Sequence, residues 1–273
     1  MKTSTAASSN ARPPRAERAV GAATVAVLLV AWEVAGRVGL LSAYHFPRPS
    51  RLAATIWDLV IVGFPLGVTV WQHVGATVAR IVQGYVLAAT LAVPLGLVIG
   101  GVRALDRAAA PVVTFARSVA TISLLPLAVA WFGVGELSRV LLIAYGCFWV
   151  ILTNVVEGVK SVDPELIRAG RMLGSTPAQL FTRVVLPAST PRIFAGMKVA
   201  LGLAFMVIVG VEMIGTIKGL GALIMEARTF YRSDAAMVGM IFIALFGFAL
   251  SRLLDRLERV LLPWGGALEE VER

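Results

Sequence analysis

The chain has 273 residues, of which 58% are hydrophobic and 15% charged, and its mean hydropathy is +0.83. That is too apolar for an ordinary soluble domain and makes the bilayer the solvent for most of the surface. The net charge of +9 is scattered between apolar runs without a dense patch, which excludes nucleic acid as a partner. A single cysteine, Cys147, excludes an intrachain disulfide or a cysteine-based metal cluster, and His45 and His73 are too few for a metal site alone.

A spanning helix takes roughly 20 apolar residues, so the length accommodates about six spans and no second large domain. The expected fold is an all-α polytopic membrane protein with a tail at 1–19, a membrane domain at 20–260 and a second tail at 261–273. The first span covers 20 to 41. Glu33 and Arg37 follow its apolar run where a signal peptide would need small residues, so it reads as a retained anchor. Four positions apart, the two share a helix face and can neutralise each other. Phe46-Pro47-Arg48-Pro49-Ser50 breaks the chain, and the half-polar run after it, with Trp57, Asp58 and Trp71, reads as interfacial.

The second span, 73–101, carries Arg80 close enough to its start to reach the interface and Pro94 as a kink. A basic turn at 103–107 leads to the third span, 108–132, expected to break at Pro126. After the tight Gly133-Val134-Gly135-Glu136 turn comes the fourth, 137–156. The longest polar stretch begins at 157 and closes at about 191, where Thr190-Pro191 is expected to open the fifth span, 191–216. The sixth, 235–250, continues as an amphipathic tail through Arg252, Asp255, Arg256 and Arg259. No internal repeat is visible. Summed over alternate sides, about 16 basic residues fall with the termini and the long polar loop and about 7 opposite, which puts both termini and that loop in the cytoplasm.

Within the loop, Asp163 is suited to cap a helix, Pro164 to occupy its first position and Glu165 to face its positive dipole end. Leu166, Ala169 or Gly170, and Leu173 recur at helical spacing, and Gly174 is a natural stop. Thr176 and Pro177 repeat the start signal for a second short helix, expected to end at Leu186-Pro187. Two capped surface helices between spans make a rigid knob. It suits either docking into a groove on another protein or lying on the membrane surface.

Arg168-Ala169-Gly170-Arg171-Met172-Leu173-Gly174, followed by Val184-Val185-Leu186-Pro187, resembles the EAA signature of ABC importer permeases. The usual leading glutamate is Arg168 here and the second alanine is Gly170. The resemblance covers nearly the whole chain, from Trp32 to Trp264, and points to the sulfonate, taurine and nitrate branch. Phe46-Pro47-Arg48-Pro49, Trp131-Phe132-Gly133-Val134-Gly135-Glu136, Val211-Glu212-Met213-Ile214-Gly215, Gly219-Leu220-Gly221 and Leu257-Glu258-Arg259 carry it. One departure is the third span, where the branch has a proline-rich turn after its arginine and this chain has Ser118-Val119-Ala120-Thr121-Ile122-Ser123.

The resemblance implies a type I importer permease of the bacterial inner membrane. Its partners would be a second permease copy or close relative, two cytoplasmic ATPase subunits and an extracytoplasmic solute-binding protein. It implies that Asp163, Glu165, Leu166, Arg168, Ala169, Gly170, Arg171, Leu173, Gly174, Leu186 and Pro187 form the coupling surface for the ATPase. No Gly-rich phosphate loop ending in Gly-Lys-Ser or Gly-Lys-Thr occurs, so ATP and magnesium would be bound by the partner and this chain would hold no cofactor.

Candidates for the path are the polar residues inside spans. Glu212 lies deep in the fifth, where a charge facing lipid costs roughly 2.5 to 3.5 kcal/mol. It either lines the path or forms a structural pair, Arg117 being one candidate partner. Arg117, Thr121, Ser123 and Asn154 either line a wet route or serve as internal hydrogen-bonding groups. Arg117 is the sharper candidate, since an anion route would use a fixed cation. Glu136, in the outer turn, is either a binding-protein contact or a plain surface carboxylate. A stand-alone secondary transporter is the alternative function, and it would need intramembrane carboxylates as ion sites. An intramembrane enzyme would need a nucleophile and base or a His-Glu zinc motif, and none is visible.

Overall fold

The computed structural model describes residues 15–42 and 44–262, so the outer parts of both predicted tails lie outside it. Its regular elements are α1 (Arg15–Arg37), α2 (Pro49–Ile61), α3 (Val70–Gly101), α4 (Arg103–Ser118), α5 (Leu125–Phe132), α6 (Glu136–Lys160), α7 (Pro164–Met172), α8 (Pro177–Leu180), α9 (Leu186–Glu212), α10 (Leu220–Thr229) and α11 (Ser233–Leu261). A 3-10 turn, Thr121–Leu124, separates α4 from α5, and a π turn, Phe181–Val185, joins α8 to α9.

Among the described residues, four helical runs are long and apolar enough to cross a bilayer on their own: α3, α6, the continuous run Pro177–Glu212 and α11. The bent pair formed by α4 and Thr121–Phe132 makes a fifth. Helix α1 has 23 residues, about 34 Å at 1.5 Å per residue. It presents Val25, Val27, Leu28 and Val30 outward, and the described residues count four spans, or five with the bent pair, against the expected six. Apolar side chains exposed along these helices are what lipid solvates, while helical bonding satisfies the backbone. The interfacial segment is α2, too short to span. It buries Leu52, Thr55 and Leu59 and leaves Trp57 outward.

Helices α3, α6 and α9 form the central trio. Along α3, Gly84, Ala88, Ala92, Gly96 and Gly100 recur every fourth residue, one stripe on one helix face. A side chain at Gly84 would meet Ile143 at 2.7 Å, at Gly96 Val155 at 2.8 Å and at Gly100 Val159 at 2.8 Å. The constant offset between the pairs shows α3 and α6 running parallel, backbone to backbone, as small residues permit in membranes. A second cluster, with Leu59, Val70, Leu220, Leu223 and Val238 at its centre, packs α2, α10, α11 and the start of α3 together.

Four expectations are corrected. The break in the third span is not at Pro126 but between Ser118 and Thr121, where the axis bends by 81°. Pro126 instead sits in the first turn of α5, where no N–H is needed. Thr190-Pro191 does not open a helix and Leu186-Pro187 does not close one, because Pro191 is accommodated inside α9 and Pro187 lies in its first turn. The π turn absorbs the irregularity, so the chain stays helical throughout Pro177–Glu212. That helix ends at Glu212 rather than 216. Pro94 likewise lies inside an uninterrupted α3.

Candidate functional site

The polar loop folds as a tip on a tied base. Asp163 accepts a hydrogen bond from the Glu165 N–H at 2.8 Å and caps α7. Thr176 and Gln179 form a reciprocal capping box on α8, with bonds of 3.0 and 3.3 Å. Helix α7 ends in a Schellman motif: the Ser175 N–H donates to the Gly170 carbonyl at 3.2 Å and the Gly174 N–H to that of Arg171 at 3.0 Å. Gly174 has φ +75°, a conformation that strains other residues. Gly170 faces inward, where a Cβ would lie 2.7 Å from Leu180, so α7 and α8 meet closely.

Beneath the tip, Val159, Val162 and Val185 pack with Ile167 and Phe181. Lys160 pairs with Asp106 at 2.8 Å and Arg192 with Glu157 at 3.3 Å. The knob therefore packs on α3 through Leu97, on α6 and on α9, and the ion pairs beneath it tie α6 to α4 and α9. Its outer face presents Leu166, Met172 and Leu173, the last two about 85% exposed. Ala169 and Arg171 are exposed beside them. Arg168 reaches only Glu165, at 3.8 Å, in an exposed pair of small energetic value. Of the expected coupling residues, 163–174 converge on the tip, whereas Leu186 and Pro187 are half-buried at its root. Met172 was missing from the expected set. Its signal was present, an unbranched apolar residue between two candidates at a helix end.

At the opposite end of the spans lies a buried ionic node. Glu212 has no exposed surface. Its carboxylate accepts hydrogen bonds from Arg80 Nη1 at 2.7 Å, the Thr77 hydroxyl at 2.8 Å and the Gly221 N–H at 3.0 Å. Arg80 also makes a two-pronged pair with Glu136 and donates to the Lys218 carbonyl at 2.7 Å. Arg139 approaches Glu136 at 3.5 Å and donates to the Gly215 carbonyl at 2.6 Å. His73 Nδ1 lies 2.8 Å from the Gly219 carbonyl oxygen and 3.1 Å from the Gly219 nitrogen, and its Nε2 lies 2.9 Å from the Phe64 carbonyl oxygen, so the ring ties α3 to both segments.

Arg80, Arg139 and Glu212 are buried while the Glu136 side chain is 64% exposed, so the two cations are balanced by one anion inside and one at the surface. The node also caps α10: the Leu220 N–H bonds to Thr77 and that of Gly221 to Glu212. A Cβ at Gly219 would run into the Glu212 carboxylate, and one at Gly221 would stand 2.8 Å from Glu212 Cβ. That crowding accounts for both glycines of Gly219-Leu220-Gly221. The partner of Glu212 is thus Arg80, not Arg117, and Arg80 is buried rather than reaching outward to the interface.

The remaining candidates lie at mid-depth. Arg117 and Thr121 line a cavity of about 240 Å³ between the end of α4, the 3-10 turn, α6 and α9. Asn154 donates to the Val150 carbonyl at 2.9 Å and lies over Gly196, bracing α6 on α9. Ser123 donates to the Ala120 carbonyl and closes its own turn. Only Arg117 and Thr121 of the five path candidates are brought together.

Comparison with known proteins agrees with this layout. The chain is 33% identical to the taurine transport system permease protein TauC of Escherichia coli (strain K12), with 90% of each chain covered. It is 32% identical to the putative aliphatic sulfonates transport permease protein SsuC of Bacillus subtilis (strain 168), covering 89% of this chain and 87% of that one. Its fold matches a chain of the inward-facing MetNI methionine ABC transporter with a TM-score of 0.60 at 19% identity, over 70% of this chain and 96% of the other. A family profile matches residues 92–264, from α3 through the knob to the end of α11. The chain belongs to the binding-protein-dependent transport system inner membrane component family, as a multi-pass permease subunit of an ABC importer.

Proposed function

We propose that this subunit carries a small sulfonate-like anion across the plasma membrane, taking it from a solute-binding protein and using ATP hydrolysed by separate cytoplasmic subunits. Two permease chains, identical or closely related, enclose the path, and two ATPases seat on their knobs. Both termini face the cytoplasm. The observation that carries the coupling role is the knob: a rigid tip with exposed Leu166, Met172 and Leu173 on a base tied to three spans. Exposed apolar residues on a polar, capped loop outside the membrane are costly in water and gain by burial against a partner. The sulfonate assignment is supported by what the curated relatives transport. Closure of the ATPase pair moves the knobs and swings the spans between inward-open and outward-open states.

The test is reconstitution of the chain in vesicles with its ATPase and binding protein and measurement of taurine uptake. Uptake is expected only with ATP and both partners. Met172→Glu with Leu173→Glu is expected to abolish co-purification of the ATPase while the permease still inserts. Uptake that continues without an ATPase subunit and follows an ion gradient would overturn the reading.

A further inference from the structure

The mid-depth cavity holds a cation with no carboxylate beside it. Its ten lining residues include Arg117, Thr121, Tyr145 and Trp149, and no carboxylate is among them. Arg117 forms no ion pair among the described residues, and the Thr121 hydroxyl has no hydrogen-bond partner among them. It lies over Gly146, whose absent Cβ would be 3.0 Å from Thr121 Oγ1. The Trp149 indole N–H is buried without an acceptor, although such groups are nearly always paired in folded proteins. Tyr145 donates to the Ala116 carbonyl at 2.9 Å, holding the last turn of α4, and with it Arg117, against α6. The Tyr145 ring also meets Trp149 edge to face at 6.0 Å, fixing the indole.

Depth supports a transit role. Arg117 stands fourteen residues beyond the basic turn at Arg103, about 21 Å along the helix rise. Tyr145 and Trp149 lie near the middle of α6. We infer that this cavity is a binding site for the oxyanion head of the solute in transit, with Arg117 and Thr121 donating to its oxygens and the Trp149 ring forming part of the wall. A sulfonate offers three acceptor oxygens in a compact tetrahedral group, which the guanidinium fork of Arg117 and the Thr121 hydroxyl can share. The carbon tail would lie against the apolar members of the wall, among them Val119, Val150 and Leu203. Glu212, paired at the far end of the spans, leaves the Arg117 charge uncompensated. The choice of anion rests on the importer reading above, and the donor count does not.

The test separates the two. In the full complex, Ala120→Cys is introduced into a Cys147→Ala background and its labelling by N-ethylmaleimide is timed with millimolar ethanesulfonate, taurine or the neutral isostere ethanesulfonamide. Labelling is expected to slow with the sulfonates and not with the sulfonamide. Adding Arg117→Gln is expected to weaken protection by about tenfold, the loss of one charge-assisted hydrogen bond. Arg117→Lys should restore part of it, and Thr121→Val should weaken it while the complex still assembles. No protection by any sulfonate, or protection undiminished in Arg117→Gln, overturns the site. If the protein imports taurine yet no protection is seen, the site falls and the importer reading stands. If protection is seen without taurine uptake, the importer's solute is misassigned and the anion site stands.

Discussion

At Glu212 a carboxylate sits in an otherwise apolar run, which says that a partner exists but not which one. Thr77, Arg80 and Glu136 come from two other helices, and only the parallel packing of α3 on α6 brings them to one place. The sequence alone therefore left the pair open between Arg117 and an unnamed group. Removing one member of a buried pair strands the other, at a cost of about 3 to 5 kcal/mol. Glu212→Ala and Arg80→Met are each expected to lower the thermal midpoint of the detergent-solubilised permease substantially. The double variant should lose less than the sum, and strict additivity would show that the two do not act as a pair. Arg168, where the EAA signature that the loop resembles has glutamate, pairs among the described residues only with exposed Glu165. Arg168→Ala is expected to move stability by less than about 0.5 kcal/mol, so a large drop in that measurement would mean a contact beyond Glu165.

The short elements of the knob were legible because capping is a local rule. Asp163-Pro164, Thr176-Pro177 and Gly174 mark their ends through bonds made within a few residues. Gly174→Ala is expected to cost about 1 kcal/mol through its positive φ, read as earlier release of the ATPase on heating. The prolines misled for the converse reason. Pro126, Pro187 and Pro191 are breakers only if nothing compensates, and a first-turn position or a neighbouring π turn removes the penalty without leaving a sequence signal. The α3 stripe could have been found as a four-residue spacing of Gly and Ala. Gly96→Leu is expected to wedge α3 from α6 and sharply reduce the yield of folded protein, because Val155 lies 2.8 Å from where its Cβ would be. Normal yield would mean that the two helices can part there.

The main spans and the place of the polar loop followed from hydropathy, since bilayer thickness sets helix length almost independently of packing. Orientation rests on the distribution of Lys and Arg and is open to a direct check. In a Cys147→Ala background, Val134→Cys is expected to react with an impermeant maleimide on intact cells and Ser175→Cys only after permeabilisation. The opposite pattern would invert the protein. Neither position is masked by packing, since Val134 is 68% exposed and Ser175 is only half-buried. The uninterrupted helix Pro177–Glu212 has a further meaning. Its 36 residues make a rod of about 54 Å, beginning in the knob and ending at the carboxylate of the buried node. Over that length each degree of tilt displaces one end from the other by about 1 Å. A rotation of a few degrees at the knob end is therefore enough to open or break hydrogen bonds at the node end, with no relay of side chains between them.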